Sequence, residues 1–287
     1  MLQVARLAPQ QLGESRDLVA AFLHQRLNPD GGFQDRAGQS DLYYTVFGLE
    51  GLIALQAPLP VDRVRPFLER FGGGGGLDFV HLACLARAWA AIAPRGEGVP
   101  AAALLDRLAT YRSKDGGFAA QPGLPDGEIY AAFLAVGAMQ DLGAEVSEPD
   151  RLLESILPLR AGDGGFGGRA GDVEGITPLT AGAVTLLRHL DGGMDPHLRV
   201  WLLDRCHPSG GFLATPSAPM PDLLSTATAL HALAIMGAPL AGIRELCLDF
   251  VDSLWTNRGG FYGSWADDEL DCEYTYYGLL ALGHLSV

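Results

Sequence analysis

The tripeptide Gly-Gly-Phe recurs along this chain at a nearly constant interval, and that recurrence limits the available folds more than any other feature. The phenylalanines fall at 33, 118, 166, 212 and 261, with gaps of 85, 48, 46 and 49 residues. The first gap is close to twice the others, and a degenerate junction, FGGGGGLDFVHLACLARAW (71–89), stands in its middle. A period of this size marks a repeat protein, in which each unit buries its apolar face against its neighbours. The reading is one domain over residues 1–287, made of six repeats of about 48 residues.

Each repeat carries two helix-like segments of opposite character. The one after the junction is apolar throughout and rich in Ala and Gly, as in TVFGLEGLIAL, YAAFLAVGAM, TATALHALAIM and TYYGLLALG. A helix that is apolar on all sides is buried on all sides. The other is amphipathic and charged, as in VDRVRPFLERF, PDRLLESILPLR and GIRELCLDFVDSLW. Six buried helices inside six amphipathic ones predict an all-α, two-layer barrel, an α6–α6 toroid. An open solenoid would leave one side of the inner helices wet.

The junction itself has a local logic. Gly-Gly permits the positive-φ conformations needed to leave an outer helix sharply, and the Phe is placed to plug back between helix ends. The acids that follow, Asp41, Asp126, Asp222 and Asp271, stand where N-caps belong. Parallel inner helices would bring these to one rim, together with Asp78, Glu128, Asp172, Glu174 and Glu273. An apolar funnel with a polar mouth suits an apolar ligand with one polar end.

Composition removes several classes. A formal charge of −14 argues against nucleic acid or anionic membrane as partner, because phosphate binding needs clustered Lys and Arg. No apolar run reaches the length of a membrane span; even VHLACLARAWAAIA is broken by Arg87. The opening stretch MLQVARLAPQQLGESRD has no long apolar core, so no secretory leader is expected. Four cysteines without CxxC spacing point to reduced thiols and a cytoplasmic protein. Walker-type, G-x-S-x-G and H-E-x-x-H motifs do not occur.

These repeats resemble the protein prenyltransferase β-subunit and terpene cyclase superfamily, whose members form α/α toroids. DLYYTVFGLEGL (41–52) is similar to the D-x-Y-H-T-x-x-x-L-x-G-L segment of prenyltransferase β subunits, and GGFGGR (164–169) to their GGFQGR. The resemblance implies an isoprenoid or other apolar small molecule held in the barrel, and a helical partner subunit if the chain acts as a transferase. It implies Arg169 as a contact to an isoprenoid diphosphate, which would bring Mg²⁺ with it. The family's zinc set is not reproduced: its histidine falls on Tyr44, and AGDVEGITPLT after GGFGGR has no Cys. Asp78 and His81 keep the Asp–His spacing, with Asp41 on the adjacent repeat, but Tyr43 stands where the thiolate belongs. No metal ligands are therefore assigned.

Cyclases of the same superfamily use a neutral carboxylic acid to protonate an alkene, in a cavity whose aromatics stabilise cations. DxDD is absent, but Asp172, Glu174 and Glu273 sit in acid-x-acid pairs at helix starts. They are the candidate catalytic acids. Tyr43, Tyr44, Phe47, Trp89, Tyr130 and Tyr274 are the candidate lining, with Arg169 at the rim. Three readings stay open: a prenyltransferase-like isoprenoid enzyme, a class II cyclase-like enzyme, and a non-catalytic toroid that binds a lipid or partner.

Overall fold

The computed structural model describes residues 1–93 and 95–287. Two short helices, α1 (Leu2–Ala5) and α2 (Pro9–Leu12), precede six outer–inner helix pairs. In chain order these are α3 (Arg16–Gln25) with α4 (Leu42–Ala54), α5 (Val61–Glu69) with α6 (Phe79–Ile92), and α7 (Ala101–Ala109) with α8 (Ile129–Asp141). The second half continues with α9 (Pro149–Ile156) and α10 (Thr177–His189), α11 (His197–Leu203) and α12 (Leu223–Ile235), then α13 (Arg244–Leu254) and α14 (Cys272–His284).

The inner helices pack in the cyclic order α4, α6, α8, α10, α12, α14, and α14 returns to α4. The protein is therefore an α–α toroid and not an open solenoid. The outer layer closes as well. Gly259 has φ 92°, and a Cβ there would lie 2.4 Å from the Leu18 carbonyl oxygen on α3. Only a glycine can hold that turn so close to the first outer helix.

The five Gly-Gly-Phe rings are fully buried, and in the first and last repeats the ring wedges against a glycine of the inner helix: a Cβ at Gly48 would meet the Phe33 ring at 2.2 Å, and one at Gly278 the Phe261 ring at 2.8 Å. The backbone N–H groups of Phe33, Phe166, Phe212 and Phe261 donate to the buried hydroxyls of Thr45, Thr180, Thr226 and Thr275. Each Phe also pairs with the residue six positions earlier in an antiparallel bridge. The only two-stranded ladder among the described residues, Phe33–Gln34 with Ser40–Asp41, extends this pairing in the first repeat.

Asp41, Asp78, Asp222 and Asp271 cap α4, α6, α12 and α14, each accepting from backbone N–H groups of its own first turn. Asp126 differs from expectation. Glu128 occupies the cap position of α8, and its carboxylate turns back to the Ala120 N–H at 3.3 Å.

Candidate active site in the barrel

Each inner helix turns one stripe of side chains toward the barrel axis. From α4 these are Tyr43, Val46, Phe47 and Glu50, at the i, i+3, i+4, i+7 spacing of a single helix face. The others contribute Cys84 and Arg87 from α6, Tyr130 and Phe133 from α8, Gly182 from α10, Thr228 from α12, and Glu273, Tyr276 and Tyr277 from α14. Together they enclose a cavity of about 230 Å³. A second space of about 690 Å³ opens at the opposite end, between α1 and the C-terminal turns of the inner helices.

The upper cavity is walled by aromatics. Phe47 lies edge-on to Tyr43 with centroids 4.9 Å apart, and touches Tyr276 and Tyr277 at 5.7 and 5.5 Å. Glu273 enters this wall from the first turn of α14, and its Oε1 accepts a 2.6 Å hydrogen bond from the Tyr43 phenol. Burial pushes the Glu273 carboxyl up to about 7. The Asp271 charge adds to that push, while the Tyr43 bond and Arg36 act against it. Burial wins because the carboxyl has exchanged water for ring faces. A carboxylic acid is thus kept half-protonated at neutral pH next to a π-rich space.

Beside it, Arg36 links the first junction to the last inner helix. Its Nε lies 2.8 Å from Asp271, which is 2% exposed, and its Nη2 lies 2.8 Å from Asp267. The guanidinium also covers the Tyr274 ring at 5.4 Å. Further round the rim, His81 bridges two inner helices, with Nδ1 2.8 Å from Asp78 and Nε2 3.0 Å from Asp41. Burial alone would lower its pKa, but the two carboxylates prevail and hold it above the usual value. The carboxylates occupy opposite ring nitrogens, so one ion cannot take all three groups. Among the described residues, no set of three or more His, Cys, Asp and Glu could hold a metal.

The candidates read from sequence separate into two groups. Glu273, Tyr43, Phe47 and Tyr130 line the cavity. Tyr44 lies just behind Tyr43, edge-on at 5.6 Å, and Tyr274 lies under Arg36; neither lines it. Trp89 is 2% exposed and meets Arg65 of the outer helix α5, so it belongs between the layers. Arg169, Asp172 and Glu174 lie in the loop before α10 and outside the lining of either cavity. There Asp172 accepts the Arg169 N–H at 3.0 Å, and the Arg169 and Glu174 side chains face solvent.

Phe133, Tyr276 and Tyr277, which the sequence offers among the inner-helix aromatics, also line the cavity, whereas sequence reasoning did not select Glu50 or Arg87 for the site. Glu50 and Arg87 carried a usable signal, since each is a charged residue within an apolar inner helix. Arg87 pairs with Glu50, which is 6% exposed, and with Asp141 at 3.2 Å.

A toroid with an acid inside an aromatic cavity defines a class, and sequence comparison supplies the family. The model of the prenyltransferase alpha-alpha toroid domain matches residues 7–72, 68–205 and 180–286. The chain belongs to that family. Among solved structures it is similar to the protein geranylgeranyltransferase-I of Candida albicans complexed with GGPP, at 16% identity and a TM-score of 0.70, covering 94% of this chain and 90% of that one. It is also similar to the type II terpene cyclase MstE from Scytonema, at 15% identity and a TM-score of 0.66, covering 96% and 98%. A D-mannose isomerase matches at 12% identity and a TM-score of 0.65, covering 96% and 97%. Three named activities share the architecture, so fold alone does not choose among them. No curated protein sequence matches the chain.

Proposed function

We propose that the protein is an isoprenoid-binding enzyme that works by acid catalysis, with Glu273 donating a proton to an alkene of an apolar chain held in the barrel. The observation that carries this reading is the Glu273 carboxyl, raised to about 7 and set in an aromatic wall beside Tyr43. With Oε1 engaged by the phenol, the neutral acid carries its proton on Oε2. Transfer to a double bond leaves a carbenium ion on the chain and a carboxylate on Glu273, which Tyr43 continues to stabilise. Phe47, Tyr276 and Tyr277 present π-electrons to that cation, each worth roughly 0.5–2 kcal/mol. Loss of a proton from a neighbouring carbon to the carboxylate restores the acid, and the product is an isomer of the substrate.

Two features favour acid chemistry over transfer from a diphosphate. Carboxylates surround the rim, and Arg36 is already held by Asp267 and Asp271. A neutral polyene enters such a mouth without electrostatic cost, whereas a diphosphate needs a bridging cation. The solved relatives include a variant of MstE in complex with geranylgeranyl dihydroxybenzoate, its substrate, which supports a polyene in this kind of barrel.

The test is incubation with geraniol and farnesol in D₂O, followed by mass analysis of the products. The expected product is an isomer bearing solvent deuterium on carbon, formed by the wild type and absent with Glu273→Gln, although that variant still binds the alcohol. Full activity of Glu273→Gln would remove the assignment.

A further inference from the structure

The barrel interior is divided in two, and the divider is charged. Four residues border both the upper 230 Å³ cavity and the lower 690 Å³ space: Glu50 of α4, Arg87 of α6, Phe133 of α8 and Met1, and the first two carry charged side chains. Arg87 donates from Nη2 to Glu50 and from Nε to Asp141. Tyr276 lines the upper cavity together with Glu50. Above the Glu50–Arg87 pair the wall is aromatic; below it the wall passes to Ile53, Ala91 and Val136 before reaching the open end.

We propose that the Glu50–Arg87 pair is a polar floor that ends the substrate chain, so that the site takes a short isoprenoid whose tail stops above it. This rests on the isoprenoid reading of the cavity and adds its length limit. Tyr43 and Glu50 share one helix and one face, seven residues apart, which sets the depth at about 10 Å. An extended geranyl chain suits that depth. A geranylgeranyl chain does not, unless it passes the pair. Passing requires separating the two charges and leaving the buried Glu50 carboxylate against hydrocarbon, which costs more than burial of one further isoprene unit returns. Arg87 is also held by Asp141, so it does not swing aside without breaking a second contact. The Met1 and Phe133 parts of the boundary can yield by small shifts; the Glu50–Arg87 part resists by electrostatics.

Calorimetry with geraniol, farnesol and geranylgeraniol tests the floor in the wild type and in the double variant Glu50→Met/Arg87→Met. The double change removes both charges of the pair; Asp141 loses Arg87 as partner, but its side chain is 42% exposed and stays solvated. In the wild type, geranylgeraniol is expected to bind no tighter than geraniol. In the variant it should bind at least tenfold tighter than it does to the wild type, with geraniol changed less than threefold. Steady tightening along the wild-type series overturns the floor, as does a folded variant that keeps the wild-type order. A measurement on the wild type alone covers the case of a variant that fails to fold. Crystals soaked with geraniol brominated at its tail should place the bromine above Arg87; bromine among Ile53, Ala91 and Val136 overturns the proposal. Failure of all three alcohols to bind the wild type is a different result, and it overturns the isoprenoid reading itself, floor included.

Discussion

The Tyr43 phenol donates a 2.6 Å hydrogen bond to Oε1 of Glu273, across 230 residues of sequence. The two side chains come from the first and last inner helices, so the bond exists only because the ring closes there. Closure thus does two things at one place: it completes the core, and it sets an acid against an aromatic wall.

The first prediction follows from the acid's environment. The proton-donating form of Glu273 is populated below about 7, so kcat/KM should be level on the acid side and fall as pH rises through that value. Tyr43→Phe removes a bond that favours the carboxylate, so the falling limb should move to higher pH. A shift to lower pH would mean that the bond favours the neutral acid. Stability carries the same sign. The folded pKa is raised from the ordinary carboxyl value of 4.5, so the contribution is complete below about 4.5 and is lost between there and about 7, amounting to about 3 kcal/mol. Glu273→Gln should flatten the melting temperature across that window.

A second prediction concerns ring closure at the rim. Arg36→Ala leaves the buried Asp271 carboxylate with only the Tyr274 N–H among its present partners. The loss should be about 1–3 kcal/mol, discounted because Arg36 is 33% exposed. Arg169→Ala, at an exposed loop position, should change stability by no more than about 0.5 kcal/mol. Urea midpoints with unchanged slopes would read both; equal effects would remove Arg36 from the closure.

The fold was legible because Gly-Gly-Phe and an apolar helix recur in fixed order, and each has one physical use. The side chains of the site were less so. An inner helix is buried against both the axis and the outer layer, so its apolar pattern has no preferred face. Tyr43 and Trp89 read alike in sequence, yet one faces the cavity and the other Arg65. Charges discriminate better, because a lone charge in such a helix must find a partner or a cavity. Glu273 met that test at a helix start. Glu50 and Arg87 meet it in mid-helix, each among apolar neighbours. Asp172 and Glu174 share the acid-x-acid pattern of Glu273 but lie in a loop, three or more residues before α10 begins.

Two glycines of inner helices should respond oppositely to alanine. Gly48 lies against the Phe33 ring, with 2.2 Å left for a Cβ, whereas Gly137 has nothing within 4 Å. Gly48→Ala must displace a fully buried ring and should cost about 1–3 kcal/mol. Gly137→Ala gains helix propensity without a clash and should stabilise by about 0.5–1 kcal/mol. Thermal melts of the two variants would decide it, and a neutral Gly48→Ala would mean that the Phe plug is loose.

The last prediction concerns charge at the mouth. The chain's formal charge is −14, and Asp271 and Glu273 lie at the cavity end of α14. Farnesol and farnesyl diphosphate carry the same tail, so the difference between them isolates the head group. Without divalent cation the alcohol should bind more tightly, because the diphosphate meets carboxylates at a few ångströms and the tail contribution, about 25 cal/mol per Å² of apolar area buried, is common to both. Added Mg²⁺ should narrow or reverse the gap by bridging carboxylate and phosphate oxygens. Arg169→Ala should leave farnesol binding unchanged, since the residue lies outside the cavity lining. If it weakens the diphosphate alone, the loop before α10 reaches the head group and gains a charge-assisted contact there. If the diphosphate binds tightly without Mg²⁺ and regardless of Arg169, a different cation receives it, and the acid-catalysed reading yields to a transferase.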